Sequence, residues 1–187
     1  MDTALFLFLN GLPSHAPALG ILAVWVAQDA LFLYAPLLLW LWCRAGDRVS
    51  ERRRTVLLAV AAALVALAVN AVLNVVAPRP RPFLVLPAQV LVPRPHDASF
   101  PSDHAAVAAA VGIALLLRGE PVPGAAAVLG ATVIGTARVL VGLHYPSDIA
   151  GGIAVGAAAA AVVVGARGVL EPLLASVIAV ARRLRLA

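Results

Sequence analysis

Polar residues in this chain gather in short strings between long apolar runs. Ala16 to Trp42 is interrupted only by Gln28 and Asp29, and Thr55 to Val76 by Asn70 and Asn74. His104 to Leu117, Val122 to Leu143 and Ile149 to Ala166 follow. About 20 apolar residues in a helix cross the hydrocarbon of a bilayer, so four of these runs are long enough and His104 to Leu117 is shorter. The pattern predicts an all-α integral membrane protein with five to six transmembrane helices.

The two ends read differently from the spans. Met1 to Asn10 is apolar, has no basic residue before it, and runs into Gly11, Pro13 and His15, a poor signal peptide. A retained N-terminal interfacial helix is the expectation. From Gly168 onward, Val169, Leu170, Leu173, Leu174, Val177, Ile178 and Ala181 form a helical stripe too short to cross, with Arg182, Arg183 and Arg185 beyond. It predicts a second interfacial helix, kinked near Pro172. Gly130, Gly135, Gly151, Gly152, Gly156 and many alanines supply the small surfaces that close helix packing in lipid requires. No linker or repeat divides residues 1–187, so a single membrane-embedded domain is expected.

Composition agrees and adds orientation. The chain is 63% hydrophobic and 12% charged, against about 45–50% and about 25% in soluble proteins. All 14 basic residues are arginine, each a fixed charge with a planar donor fork suited to phosphate. Arg44, Arg48, Arg52, Arg53 and Arg54 lie between the first two spans, which predicts a cytoplasmic loop. Alternation then puts Arg118 and the tail on that side, and Arg79, Arg81, Arg94, His104 and His144 on the outer face of the cytoplasmic membrane. Arginines there oppose the usual bias and need a counter-ion; phosphate is one. The net charge of +5 fits topology and anionic membrane lipids rather than nucleic acid. Cys43 is the sole cysteine, which excludes an intrachain disulfide and a cysteine metal site. No carboxylate cluster offers a magnesium site, so neither metal nor cofactor is expected.

Three strings carry the candidate chemistry. In Arg79 Pro80 Arg81 Pro82, after Pro78, the prolines stop the preceding helix and hold an extended segment. Positions two apart on an extended chain point the same way, so both arginines are expected to face one anion. Asn70 and Asn74 share a helix face just before it. Phe100 Pro101 Ser102 Asp103 His104 opens an alanine-rich helix with Ser102 as N-cap candidate. Free amides at a helix start form an anion site, which His104 would also face. Asp103 beside phosphate is repulsive, and would orient Arg81 or Arg138 instead. In the third string His144 follows Arg138 by six residues and precedes Asp148 by four. With Tyr145 and Pro146 bending the chain, Asp148 can accept a hydrogen bond from one imidazole nitrogen and raise the basicity of the other, as a nucleophilic histidine requires. Cations, a backed nucleophile and a second imidazole to donate a proton are the parts of phosphoryl transfer through histidine.

These strings resemble the signature of the type 2 phosphatidic acid phosphatase superfamily: Lys, six residues, Arg Pro; then Pro Ser Gly His; then Ser Arg, five residues, His, three residues, Asp. Asn74 stands where the family has Lys, Asp103 where it has Gly, and Ala137 where it has Ser. The Asn74 and Asp103 variants and the short length are similar to the undecaprenyl-diphosphatase branch linked to bacitracin resistance. The resemblance implies that His144 becomes phosphohistidine with Asp148 orienting it. It implies that His104 protonates the leaving group and then activates water. It further implies that Arg81, Arg138, Ser102 and Asn74 hold the phosphoryl oxygens, with Arg79 able to replace the missing lysine charge. The implied substrate is undecaprenyl diphosphate. Phosphatidylglycerol phosphate, phosphatidate, another polyprenyl phosphate, or flipping of a lipid carrier without cleavage stay open as alternatives. Two readings also stay open for Asp29: a pair with an active-site arginine, or a break in the first span.

Overall fold

The computed structural model describes residues 1–184, which form helices and turns with no strand among them. Helix α1 (Asp2–His15) precedes α2 (Pro17–Asp29), a 3-10 turn (Ala30–Leu33) and α3 (Tyr34–Cys43). There follow α4 (Val49–Val76), the single turn α5 (Pro82–Val85), α6 (Asp103–Leu117), α7 (Pro121–Leu140), α8 (Pro146–Gly165) and α9 (Arg167–Arg183). The stretch Pro17–Cys43 and helices α4, α7 and α8 are long and apolar enough to cross a membrane, and α6 is a shorter apolar helix. The all-α, multi-span architecture is as the hydrophobic pattern predicts.

Helix α6 is short because it is the centre. It packs against α4, α7 and α8, and Ala105, Ala106, Ala108, Ala109, Ala110, Val111 and Ala114 are buried against them. Small side chains let backbones approach. A Cβ on Gly152 would stand 2.5 Å from the Ser102 carbonyl oxygen, and one on Gly156 would run into the Ala106 carbonyl. This seam sets the start of α6 against the start of α8, where the Ser102 N–H donates to the Asp148 carbonyl at 3.1 Å.

The opposite end of the bundle is arginine-rich and tied by ion pairs. Arg118 meets Glu51 at 2.8 Å, Arg54 meets Glu171 at 2.8 Å, and Arg52 lies 3.5 Å from Glu120. Helix α9 closes this end, with Leu174 and Ile178 buried and Pro172 inside the helix. Arg185 lies outside the described residues.

Several boundaries differ from expectation, each for a local reason. The first span is broken where Asp29 interrupts it: Asp29 is exposed, and among the described residues it forms no ion pair, so pairing with an active-site arginine is not what the structure has. The 3-10 turn changes which carbonyls of the preceding turn are used inside the helix, and the Ala27 carbonyl there accepts from Arg138 Nη1 at 3.0 Å. Helix α7 stops at Leu140, not Leu143, because Gly142 takes φ +88°. Helix α1 lies on the bundle along one face, with Phe6, Asn10 and Pro13 buried.

Candidate active site

The turn between α7 and α8 carries His144. Gly142 makes it possible: a Cβ there would adopt a left-handed conformation and collide with the Gln89 carbonyl oxygen. Asn10 braces this turn, donating from Nδ2 to the Gln89 carbonyl at 2.8 Å and the Leu140 carbonyl at 3.0 Å. Its Oδ1 accepts from the Gln89 N–H at 2.8 Å. The left-handed backbone alone costs a side chain about 1–2 kcal/mol, and the collision adds to that. Gly142→Ala should therefore lower the thermal unfolding temperature in detergent; an unchanged midpoint would show that the turn is not constrained as described.

His144 is only 2% exposed. Its Nδ1 lies 2.8 Å from the Ser99 carbonyl oxygen, which can only accept, so Nδ1 carries the proton and Nε2 the lone pair. The carboxylate behaves differently from the sequence expectation. Asp148 Oδ2 is 3.6 Å from Nδ1, beyond hydrogen-bond length. Its lone pairs are taken by the Ser99 hydroxyl at 2.5 Å, the Tyr145 N–H at 2.8 Å and Arg79 Nη1 at 2.7 Å. Asp148 caps α8 and holds Ser99, and the Ser99 backbone sets the imidazole tautomer. Burial pushes the His144 pKa below the ordinary 6.5, and the charges of Arg138 and Arg81 act in the same direction, against the nearby negative charge of Asp148. The ring is thus held neutral near pH 7.

The two arginines of the proline string part company. Arg81 has φ −67° and ψ 150°, polyproline geometry with three residues per turn, so residues two apart do not share a face. Arg81 is buried, with Nη1 3.3 Å from His144 Nε2 and donating to the Leu143 carbonyl at 3.1 Å. Asp97 holds it through its carbonyl at 3.0 Å and its carboxylate at 2.8 Å. Arg79, expected beside phosphate, instead bonds Asp148 at 2.7 Å, Ser147 at 2.6 Å and Asp2 at 2.7 Å, over the Tyr145 ring at 3.8 Å. It is a partner of carboxylates and does not replace the lysine charge absent at Asn74. Arg79→Ala would strand the fully buried Asp148 charge, a loss of about 3–5 kcal/mol for such pairs, read as a fall in unfolding temperature; unchanged stability would contradict this pairing.

A cavity of about 370 Å³ opens beside these groups, lined by His104, Arg138, Arg94, Leu143, Ala27 and Gln28 among others. Arg138 is 9% exposed, and among the described residues its Nε has no hydrogen-bond partner. Ser102 occupies the N-cap of α6, yet its buried hydroxyl makes no capping bond and has no partner among the described residues. Unpartnered buried donors are costly, and an anion could accept from both. Asp103 Oδ1 accepts from Asn70 Nδ2 at 2.7 Å, and among the described residues it forms no ion pair with Arg81 or Arg138. Asn70 thus makes an interhelical hydrogen bond inside the bundle, between α4 and the start of α6. Asn74 Nδ2 donates to the Asn70 carbonyl at 2.9 Å on its own helix. Among the described residues no three His, Cys, Asp or Glu side chains converge as a metal site.

Ser99, Asp97 and Asp2 join the site without a sequence signal of their own, and Arg94, expected only as an outer-face arginine, lines its cavity. Arg94 stands between Pro93 and Pro95, the same Pro-Arg-Pro pattern as Arg81, and that repetition was a readable signal. Ser99 and Asp2 act through a carbonyl and across 145 positions of sequence, which no local pattern marks.

The PAP2 superfamily model matches residues 54–170. Undecaprenyl-diphosphatase BcrC of Bacillus subtilis (strain 168) is 33% identical over 155 residues, covering 83% of this chain and 78% of that protein. Decaprenylphosphoryl-5-phosphoribose phosphatase of Mycobacterium tuberculosis is 38% identical over 114 residues, 60% of this chain and 62% of its own. In fold, the crystal structure of Aquifex aeolicus LpxE is similar with a TM-score of 0.70 at 24% identity, covering 88% of this chain and 94% of that one.

Proposed function

The chain belongs to the PAP2 superfamily, and on that premise we propose that it removes the terminal phosphate of undecaprenyl diphosphate to leave undecaprenyl phosphate, recycling the lipid carrier of wall synthesis. One observation carries the mechanism: the bond from His144 Nδ1 to the Ser99 carbonyl leaves the Nε2 lone pair facing Arg81. Nε2 attacks the terminal phosphorus and a P–N bond forms. The bond from phosphorus to the bridging oxygen breaks, and His104 gives that oxygen a proton. His104 then takes a proton from water, whose oxygen displaces phosphate and frees His144. Arg81, Arg138 and the Ser102 hydroxyl bind the non-bridging oxygens, where negative charge is stabilised most by preorganised donors. Asp148 keeps the hairpin and Ser99 in place.

The substrate proposal rests on the 33% identity to BcrC over most of both chains and on the number of cations. Arg94 lines the cavity over the Phe83 ring at 5.5 Å, and its charge suits the second phosphate of a diphosphate. The arginine-rich end supports a cytoplasmic orientation for that end, with the site facing outward from the cytoplasmic membrane. The similarity to the mycobacterial enzyme favours a second reading, a polyprenyl phosphosugar phosphate as substrate. Phosphate release by purified protein in detergent with EDTA decides between them, comparing undecaprenyl diphosphate with decaprenylphosphoryl-5-phosphoribose, phosphatidate and phosphatidylglycerol phosphate. Lipid binding with no release from any of these would defeat the enzyme reading.

The pH profile follows from the depressed His144 pKa. A base with a lowered pKa stays unprotonated until the pH falls below 6.5, so the acid limb of kcat/KM, which reports the free enzyme, should lie below that value. An acid limb above 6.5 would contradict neutral His144 as the attacking group.

A further inference from the structure

We infer that Asp2 is a positioning residue for the reaction: from α1 it shares the Arg79 guanidinium with Asp148 and thereby fixes the hairpin that carries His144. The inference rests on the reading of His144 as nucleophile.

Residues Asp2, Phe6 and Asn10 are spaced by four and share one face of α1. Each touches a different part of the same hairpin. Asn10 holds the Leu140 carbonyl at 3.0 Å. Phe6, fully buried, packs on Tyr145 with ring centroids 5.5 Å apart. Asp2 reaches the start of α8, where its Oδ1 accepts from the Ser147 N–H at 3.1 Å and its Oδ2 from the Ser147 hydroxyl at 2.5 Å. The first amides of a helix lack intrahelical partners, so α1 caps α8 with a carboxylate from outside it. The same Oδ2 accepts from Arg79 Nη2 at 2.7 Å, while Arg79 Nη1 holds Asp148 at 2.7 Å. Burial acts to raise the Asp2 pKa, but the hydrogen bonds from Ser147 and Arg79 bring it below the ordinary 3.8, and it is ionised at neutral pH.

The charge count gives this brace a consequence for chemistry. One guanidinium serves two carboxylates, so a net negative charge remains behind the imidazole, with Asp148 Oδ2 3.6 Å from Nδ1. Without the Asp2 charge, Arg79 is left to Asp148 alone and more of that potential is cancelled. His144 is also faced by Arg81 at 3.3 Å, and it interacts electrostatically with Arg138 and His104. A substitution at Asp2 alters none of these, so its effect reaches the ring through Asp148.

The test uses the full chain in detergent with undecaprenyl diphosphate, measuring kcat, KM, the acid limb and the unfolding temperature for Asp2→Asn and Asp2→Glu. Glu171→Gln, which removes an ion pair at the arginine-rich end, and His144→Ala accompany them. Asp2→Asn should lower kcat about tenfold with KM changed by less than about twofold, an interaction felt mainly in the transition state. Its acid limb should move to lower pH, because an imidazole with less negative charge behind it is a weaker base. Asp2→Glu should restore the acid limb and part of kcat. Wild-type kcat and acid limb in Asp2→Asn, or a loss of unfolding temperature alone as for Glu171→Gln, would overturn the inference. Should Asp2→Asn not fold, wild-type kcat and acid limb in Asp2→Ser, which removes the same charge with a smaller side chain, would overturn it equally. Phosphate release that survives His144→Ala would instead overturn the proposed function on which it rests.

Discussion

His144→Ala should abolish phosphate release, by about 10⁴ to 10⁶-fold in kcat, the size of loss when a covalent nucleophile is removed from an otherwise intact site. Substrate binding should survive, because the Arg81 and Arg138 charges and the Ser102 hydroxyl do not depend on the ring. Arg81 Nη1, now 3.3 Å from Nε2, loses only a neutral neighbour. Asp148→Asn should be less damaging. The Nδ1 bond goes to the Ser99 carbonyl and not to the carboxylate, so the tautomer is preserved. What the asparagine loses is the charge opposite Arg79 and one acceptor for the Ser99 hydroxyl. Rates of phosphate release from undecaprenyl diphosphate for the two variants check the order; a neutral Asp148→Asn would remove Asp148 from the account.

His104→Ala should separate the two chemical steps. General acid and base catalysis contributes about 10² to 10⁴-fold, and turnover of the lipid diphosphate should fall by that range with KM little changed. A substrate with a good leaving group, such as p-nitrophenyl phosphate, needs no protonation to form the P–N bond. With it the variant should release a rapid burst of p-nitrophenol and then stall, since no base activates water for the second step. Rapid-mixing absorbance measures the burst. Steady release at the wild-type rate with no burst would place the proton chemistry on a different residue.

Much of this site was legible in the sequence, for physical reasons that also explain what was not. His104, Arg138 and His144 stand at ends of apolar runs, where an ionisable group is expensive unless it functions, and their chemistry is read from residue type and spacing. Helix packing follows likewise from the glycine and alanine faces of α8 and α6. The partners of Asp148 were not legible, because an acidic residue at the third position of a helix serves equally as a cap or as a histidine partner. Only the distances show that Asp148 caps, at 2.8 Å from the Tyr145 N–H and 3.6 Å from the imidazole. The two-residue spacing of Arg79 and Arg81 gives one face only in an extended strand, whereas prolines favour a three-residue turn. The Asn70 to Asp103 bond joins two spans at 2.7 Å. Nothing local in either string announces it.

The central claim is that the phosphoryl group passes through Nε2 of His144. The direct measurement is a rapid quench of wild-type protein with labelled undecaprenyl diphosphate under alkaline conditions, where a phosphorylated imidazole survives, followed by mass spectrometry of the peptide spanning Arg138 to Asp148. One labelled phosphoryl group is expected on His144, bound at Nε2 rather than Nδ1, and none in His144→Ala. Label at Nδ1 or on His104, or full turnover with no covalent enzyme at any quench time, would contradict it.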